Sequence, residues 1–320
     1  MTTILFTAPY MIPFLDRFRP VLENSGLELI VPNVEERMNA EDLLAFAGQF
    51  DGTICGDDHY TPRVLKACTP RLKIISKWGT GIDSIDQATC ARLGVEIGNT
   101  PNAFTLPVSD SVIGYMLAFA RRQPWMDRAI RSGQWDKIPG RSLSECTLGV
   151  IGVGNVGKAV IHRARAFGME LLGNDIIEIE PDFRRENRVE MVSLDVLLRR
   201  ADFISVNCDL NPTSQHLIDA ETLALMKPEA VLINTARGPI VNESALVEAL
   251  QSKKIAGAAL DVFEREPLPR ESSLLQMDNV MLAPHNANSS PAAWERVHWN
   301  TIRNLLEGLG IDTANLREDR

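Results

Sequence analysis

One stretch of the sequence, from Thr147 to Asp175, restricts the fold more than any other. It opens with a short apolar run, Leu148 to Val153, which is typical of a central strand in a parallel sheet covered on both faces. Gly152, Gly154 and Gly157 then form a GxGxxG motif, and apolar residues follow at helical spacing. In such a turn the first glycine permits the bend, the second lets a pyrophosphate approach the backbone, and the third lets helix pack on strand. The stretch therefore predicts a strand-turn-helix unit that binds a dinucleotide.

The acid that ends this stretch, Asp175, indicates which dinucleotide is bound. It lies eighteen residues past Gly157, after a second apolar run from Met169 to Gly173. At about this spacing a carboxylate accepts hydrogen bonds from the adenosine ribose hydroxyls. The next three residues, IIE, supply no cation for a 2′-phosphate, so NAD is favoured over NADP, although Asn174 is an alternative polar contact.

The composition is that of an ordinary globular protein of about two domains, with 320 residues of which 45% are hydrophobic and 23% charged. A net charge of −9 argues against nucleic acid or a membrane surface as a partner, because either needs a basic face. No apolar run is long enough for a membrane helix, and the first residues lack the basic region of a signal peptide. We therefore expect a cytoplasmic protein. Its five cysteines, which lack metal-ligand spacing, are expected to be reduced thiols.

Apolar runs alternate with helical patterns along the chain, and this alternation predicts two parallel α/β domains. We place a substrate domain at residues 1–101 plus 288–320 and an NAD-binding domain at residues 102–287. A long helical pattern after Pro101 carries the chain into the second domain, and a final helix, Pro291 to Leu309, returns it to the first. The predicted strands are Thr3–Thr7, Leu27–Val31, Gly52–Cys55, Leu72–Ser76, Val95–Ile97, Leu148–Val153, Met169–Gly173, Val189–Val192, Phe203–Asn207, Ala230–Asn234, Gly257–Asp261 and Val280–Leu282.

The first domain contains one loop that could hold an anion. Lys77, Trp78, Gly79, Thr80 and Gly81 directly follow a predicted strand. The carboxyl ends of parallel strands hold ligands, and two glycines expose backbone N–H groups there. An ordinary tight strand-to-helix turn explains the same residues, and the spacing does not decide between these alternatives.

Three ionisable residues follow strands of the second domain, namely Arg237, Glu266 and His285. Together they suit hydride transfer to a 2-oxo acid. An arginine holds a carboxylate through two parallel hydrogen bonds, and a histidine supplies a proton while a carboxylate fixes its tautomer. Each residue taken alone also has a structural interpretation, as an ion pair, a solvated acid or a packed ring.

The remaining histidines suggest no second site. His59 and His216 lie in polar contexts with no partner that the sequence identifies, His162 lies within a helix, and His298 is expected to be packed. No HxxxH, HExxH or acidic cluster indicates a metal, and a GxSxG motif is absent.

From about Leu72 to Ala287 the chain resembles the D-isomer-specific 2-hydroxyacid dehydrogenases, the family of phosphoglycerate dehydrogenase and hydroxypyruvate reductase. Several long strings in the same order carry the resemblance. They are LKIISKWGTGIDSID, TLGVIGVGNVGK, LNPTSQHLI, LMKPEAVLINTARGPIVNESALVEAL, GAALDVFEREPLP and NVMLAPHNA.

The resemblance implies a flavodoxin-like substrate domain, a Rossmann NAD-binding domain and a homodimer. It implies a catalytic triad of Arg237, Glu266 and His285, with the backbone of Thr80 and Gly81 beside Arg237 at the carboxylate of a small anionic substrate. Besides the glycine motif, the implied NAD contacts are Thr80, Asn155, Val156, Asp175, Cys208, Pro212, Thr235, Ala236, Arg237, Asp261 and His285, with Thr105 as a further candidate.

The sequence departs from the family pattern near the substrate. Many relatives place an aliphatic residue after the catalytic histidine, whereas Asn286 and Asn288 supply amides here. We hypothesise that Lys77 meets a second anionic or polar group at the far end of the substrate; the alternative is a solvated lysine.

An NAD-dependent D-2-hydroxyacid dehydrogenase is the function that these features favour. The alternatives are an NAD-sensing binding protein, such as the corepressors that resemble this family, and a dehydrogenase of another small oxyanion or of formate. Glu266 argues against formate, because the relatives that use formate place an amide beside the histidine.

Overall fold

Parallel strands form two separate sheets in this computed structural model, which describes residues 1–314 and 316. The chain divides into two units, one formed by Met1–Phe104 together with the segment that starts at Ser290, and the other by Thr105–Ser289. All pairings between the named strands are parallel. The predicted α/β fold with two parallel sheets is confirmed.

The first unit is built on a five-stranded sheet. Its elements up to residue 98 are β1 (Thr2–Phe6), α1 (Leu15–Asn24), β2 (Leu27–Ile30), α2 (Ala40–Leu44), β3 (Gly52–Cys55), α3 (Pro62–Cys68), β4 (Ile74–Lys77), α4 (Gln87–Leu93) and β5 (Glu96–Gly98). The strands pair in the order β2-β1-β3-β4-β5, which is the flavodoxin-like order.

Side-chain caps fix where the short helices of this unit begin and end. The side chain of Asn39 accepts a hydrogen bond from the backbone of Asp42 at 3.1 Å, and the carboxylate of Asp42 accepts one from the backbone of Asn39, also at 3.1 Å. Asp86 caps α4 by accepting from the N–H of Thr89 at 2.8 Å, and the helix ends at Gly94 with a φ of 69°. These are the local signals that start and stop a helix.

The second unit is built on a seven-stranded sheet. Its elements are α5 (Thr105–Arg121), α6 (Gln123–Arg131), β6 (Thr147–Ile151), α7 (Asn155–Ala166), β7 (Glu170–Asn174), α8 (Pro181–Asn187), β8 (Val189–Met191), α9 (Leu194–Arg200), β9 (Phe203–Val206), α10 (Ala220–Leu223), β10 (Val231–Asn234), α11 (Glu243–Gln251), β11 (Gly257–Leu260) and β12 (Val280–Leu282). The strand order is β12-β11-β10-β9-β6-β7-β8. It reverses between β6 and β9, and in a Rossmann sheet the dinucleotide binds where the order reverses.

Both faces of this second sheet are covered, as the apolar character of its strands predicts. Leu148 and Val150 of β6 belong to a buried cluster that also contains residues of α5 and α7. Ile151 belongs to the cluster on the other face, with residues of α9 and α11. All five residues of β6 are buried, so the start of the dinucleotide-binding turn is anchored in the core.

The last helix, α12 (Pro291–Gly308), belongs to the first unit. It packs against β4, where Ser76 Oγ donates to the carbonyl of Thr301 at 2.7 Å. A Cβ on Gly308 would lie 2.6 Å from Ile74 Cγ1, so only glycine permits this approach of helix to strand.

Two helices end where the backbone hydrogen bonding or the backbone conformation changes. α2 ends at Leu44, because Phe46 and Ala47 donate to the third residue before them instead of the fourth. The long helix predicted after Pro101 is α5, and it ends at Arg121 because Arg122 adopts a φ of 56°.

Candidate active site

The three glycines of the turn after β6 have different surroundings. Gly152 has a φ of 86°, and a Cβ there would lie 2.5 Å from the backbone nitrogen of Cys208. A Cβ on Gly157 would lie 2.0 Å from the carbonyl oxygen of Gly152, whereas one on Gly154 would have nothing within 4 Å. The first and third positions are therefore closed to other residues, and the second leaves open space beside the N-terminus of α7. This arrangement fits the pyrophosphate of a dinucleotide.

Asp175, at the end of β7, supports the same turn. Its Oδ2 accepts a hydrogen bond from the N–H of Val153 at 2.6 Å, and its Oδ1 accepts one from Ile177 at 3.0 Å. Each carboxylate oxygen keeps a second lone pair for a ribose hydroxyl. Asp175 thus holds the glycine turn in place as well as lying at the predicted ribose position, and the sequence did not indicate the first of these roles.

The loop after β10 carries Arg237 and is fixed by the last residue of that strand. The side chain of Asn234 donates to the carbonyl of Arg237 at 2.9 Å and accepts from the N–H of Ala236 at 3.1 Å. Arg237 Nη1 donates to the carbonyl of Ala236 at 2.8 Å. The hydroxyl of Thr235 is buried and has no hydrogen-bond partner within the described part of the chain. An unmatched polar atom at a predicted NAD contact fits a site that is completed by a ligand.

Glu266 and His285 are brought together from the loops after β11 and β12. His285 Nδ1 lies 3.1 Å from Glu266 Oε2, and Glu266 Oε1 accepts from the N–H of Phe263 at 3.0 Å. Both side chains are mostly buried, with 20% and 12% of their surfaces exposed. A carboxylate at this position makes Nδ1 the donor and directs Nε2 away from it as the atom for proton transfer.

His285 has a φ of 51°, which is unusual for a residue with a Cβ, and Asp261 holds it there. The N–H of His285 donates to the carbonyl of Asp261 at 2.8 Å. The two carboxylate oxygens of Asp261 accept from the N–H groups of Asn286 at 2.8 Å and Ala287 at 2.9 Å. Burial raises the pKa of the Asp261 carboxyl, and these two donors act in the opposite direction. The predicted NAD contact Asp261 is therefore also the anchor of the histidine loop.

Gly238 sets the separation of the two loops that carry Arg237 and Glu266. A Cβ at this position would lie 1.9 Å from the backbone carbon and oxygen of Phe263. Since backbone atoms cannot give way as a flexible side chain can, one methyl group here must push the loops apart.

We therefore expect Gly238→Ala to destabilise the protein by about 3 kcal/mol and to reduce its activity together with its stability. Gly114→Ala is the matched control, because a Cβ on this glycine of α5 has nothing within 4 Å. That change should leave the free energy of unfolding unchanged or increase it. Thermal unfolding of both variants checks the prediction, and equal melting temperatures would refute the proposed packing constraint.

The first two side chains of the loop that could hold an anion, Lys77 and Trp78, are buried. Lys77 is only 4% exposed; its Nζ lies 3.2 Å from Asp57 Oδ1 and donates to the carbonyl of Trp78 at 2.8 Å. Trp78 is also buried, and its indole N–H donates to His298 Nδ1 at 2.9 Å. The lysine is therefore neither solvated nor an open cation, because its charge is matched within the unit.

The backbone of the same loop does present donors. Gly79 has a φ of 117°, and Thr80 is exposed. Within residues 1–314 and 316, the N–H groups of Thr80 and Gly81 donate no hydrogen bond to the protein. These two backbone N–H groups could bind an anion, as the interpretation of the loop as an anion site requires.

Cys208, His298 and His216 show no sign of a catalytic role. Cys208 follows β9, and burial raises the pKa of its thiol to about 11, so it is a poor nucleophile. Burial lowers the pKa of His298 to about 4, which keeps the ring neutral as an acceptor for Trp78. His216, for which the sequence indicated no partner, lies 3.0 Å from Glu264.

The residues that the structure describes contain no group of three or more His, Cys, Asp or Glu side chains that could hold a metal ion. None of their helices combines the length and the apolar character needed to cross a membrane. The cytoplasmic location and the lack of a nucleic-acid partner stay predictions from composition.

The sequence matches a known family model and several known reductases. A family model described as D-isomer specific 2-hydroxyacid dehydrogenase, NAD binding domain, matches residues 113–287. The glyoxylate reductase of Korarchaeum cryptofilum is 39% identical over 243 residues, which cover 74% of this chain and 73% of that protein. The hydroxypyruvate reductase of Thermotoga maritima is 39% identical over 244 residues, 75% of this chain and 78% of that protein.

Solved structures show the same architecture. A D-lactate dehydrogenase from Aquifex aeolicus, complexed with NAD and lactic acid, aligns with a TM-score of 0.85 at 26% identity. The alignment covers 97% of this chain and 98% of that one.

Proposed function

The chain belongs to the D-isomer-specific 2-hydroxyacid dehydrogenase family, and we propose that Arg237, Glu266 and His285 are the residues that carry out its reaction. The protein is an NAD-dependent dehydrogenase that transfers a hydride between NAD(H) and a small 2-hydroxy or 2-oxo acid. The observation that carries the residue assignment is the Glu266–His285 contact at 3.1 Å, next to the loop of Arg237.

The chain's own residues divide the work as follows in the direction of reduction. Arg237 binds the substrate carboxylate and polarises the neighbouring carbonyl. His285 holds a proton on Nε2 and gives it to the carbonyl oxygen as the alkoxide forms. Glu266 orients the ring through Nδ1 and stabilises its protonated form, which makes the proton available.

The cofactor is held by the residues whose geometry fits it. The open space at Gly154 and the N-terminus of α7 take the pyrophosphate, Asp175 takes the adenosine ribose, and the unmatched hydroxyl of Thr235 lies beside Arg237. NAD(H), when bound, supplies or accepts the hydride. The other implied contacts are Thr80, Asn155, Val156, Cys208, Pro212, Ala236, Arg237, Asp261 and His285, with Thr105 as a further candidate.

A steady-state screen of the wild-type enzyme tests this function. NADH and NADPH are supplied in turn with glyoxylate, pyruvate, hydroxypyruvate and longer 2-oxo acids, and oxidation of the nicotinamide is followed. We expect turnover with at least one short 2-oxo acid and a preference for NADH, because Asp175 opposes a 2′-phosphate. Absence of turnover with every acid would remove the enzymatic function and leave NAD binding alone.

Lys77 tests whether the substrate carries a second anion. Since Asp57 and the carbonyl of Trp78 already engage its ammonium group, we propose that one anionic group on the substrate suffices. Lys77→Ala should then lower kcat/KM by the same factor for substrates with and without a distal phosphate or carboxylate. Lys73→Ala, an exposed neighbour, serves as control. A loss confined to substrates with the distal anion would instead support a direct contact with Lys77.

We further propose that two copies of the chain associate through the region around α6. Ile130 of α6 is 51% exposed and Trp135, four residues after the end of that helix, is 87% exposed. Large exposed apolar side chains that lie close together in a patch are typical of protein interfaces. Light scattering should give the mass of a dimer for the wild type and that of a monomer for Trp135→Glu. A monomeric wild type at micromolar concentration would contradict the proposal.

A further inference from the structure

His216, which the proposed reaction does not use, joins the loop of Arg237 to the loop of Glu266. Its backbone N–H donates to the carbonyl of Pro239 at 2.8 Å, two residues after Arg237. Its ring Nε2 lies 3.0 Å from Oε1 of Glu264, two residues before Glu266. One residue therefore contacts both loops, with its backbone on one side and its ring on the other.

Glu264 and Glu243 form a second connection between the loop of Glu266 and the segment that follows Arg237. The N–H of Glu243, the first residue of α11, donates to Glu264 Oε1 at 3.1 Å. In return, the N–H of Glu264 donates to Glu243 Oε2 at 3.2 Å. Burial raises the pKa of the Glu243 carboxyl, the N–H of Glu264 lowers it, and the charge of Glu264 raises it. Because the exchange is reciprocal, the segments cannot slide past each other without breaking both bonds.

The backbone of His216 is itself held in an unfavourable conformation. Its φ is 52°, in the left-handed region that a residue with a Cβ seldom adopts. Such a conformation persists only where surrounding contacts determine it, and it is found most often at functional sites. The contacts that determine it here are those to Pro239 and Glu264.

We propose that His216, Glu243 and Glu264 form a staple that positions Arg237 relative to Glu266 and His285. The inference rests on the proposed roles of those three residues. The transition state needs the guanidinium on the carboxylate and the imidazole at the carbonyl oxygen at the same moment. The staple residues are positioning residues, since they act through the backbones of the two loops.

Exposure separates this role from a contribution to overall stability. The side chains of His216 and Glu264 are 43% and 37% exposed, and exposed pairs of this kind add little to the free energy of unfolding. Variants of the staple are therefore expected to fold with the melting temperature of the wild type. A loss of activity without a change in melting temperature would then come from altered positions of the two loops that carry Arg237 and Glu266.

The test compares Glu264→Ala, Glu264→Gln and His216→Asn in the full chain, with Glu248→Ala on the exposed face of α11 as control. Glutamine keeps an Oε1 acceptor for both donors, and asparagine tolerates the left-handed backbone while losing the reach to Glu264. Glu264→Ala should lower kcat about tenfold with KM for NADH unchanged, and Glu264→Gln should restore most of it. Hydrogen exchange should become faster in residues 236–243 and 262–267 of Glu264→Ala and His216→Asn.

Each outcome decides the inference. Faster exchange in both segments, an unchanged melting temperature and rescue by glutamine support the staple. Wild-type exchange in Glu264→Ala overturns it, and so does a glutamine variant as impaired as the alanine variant. If the wild type shows no turnover with any 2-oxo acid, the proposed function fails, and hydrogen exchange alone then decides whether the staple exists.

Discussion

His285→Asn is expected to lower kcat for reduction of a 2-oxo acid by about 10³-fold, because the variant has no titratable proton to give to the carbonyl oxygen. Asparagine is the suitable replacement, since it accepts the left-handed backbone that His285 adopts with a φ of 51°. The dissociation constant of NADH, measured by fluorescence titration, should change far less than kcat does. In the wild type kcat/KM for reduction should fall as pH rises and the imidazolium is lost, and the variant should lack this dependence.

The exposed histidine of α7 provides the control for this change. His162→Asn alters a histidine in the same unit that makes no proposed contact with substrate, so its kcat should equal that of the wild type. A His285→Asn enzyme with near-normal turnover, or with the pH profile of the wild type, would exclude this histidine as the proton donor.

Arg237→Lys should reduce kcat/KM for the 2-oxo acid by about 10²-fold or more, although the positive charge is kept. A lysine ammonium cannot reproduce the two parallel hydrogen bonds that a guanidinium makes to a carboxylate. The loop itself should keep its shape, because Asn234 contacts the backbone of residues 236 and 237 and not the guanidinium. NADH binding is therefore expected to be largely kept, and the melting temperature to be unchanged.

Arg185→Lys on the exposed face of α8 is the matched control, with unchanged kcat/KM. Steady-state kinetics on the best substrate of the screen, together with NADH titration, provides the comparison. If Arg237→Lys retained the kcat/KM of the wild type, a different residue would have to bind the carboxylate.

The positions of the strands, and of the loops that follow them, could be predicted from the local pattern of apolar residues. The apolar runs predicted every strand to within about two residues, because strands buried in a parallel sheet carry a strong hydrophobic signal. Loops that follow such strands meet at one edge of the sheet, so the proximity of Glu266 and His285 could be predicted from their places after β11 and β12.

Contacts between residues far apart in the chain left no local signal. Lys77 forms an ion pair with Asp57, which follows a neighbouring strand. Sequence reasoning does not anticipate this pair, because a lysine after a strand is usually solvated. His216 pairs with Glu264 across 48 positions, and although both lie in strings that match the family, nothing in either string indicates the other residue as its partner. The anchoring of His285 by Asp261 likewise uses backbone groups, which no side-chain pattern reveals.

Transfer of an isotopic label from the cofactor to the product follows the hydride itself. The wild-type enzyme is given NADH with deuterium at both C4 positions and the best 2-oxo acid of the screen, and the product is examined by mass spectrometry and chiral separation. We predict a D-2-hydroxy acid with one deuterium at C2. The Arg237→Lys and His285→Asn variants should form it at least about 10²-fold more slowly than the wild type. A product without deuterium at C2, or one that both variants form as fast as the wild type, would rule out hydride transfer with Arg237 and His285 in these roles.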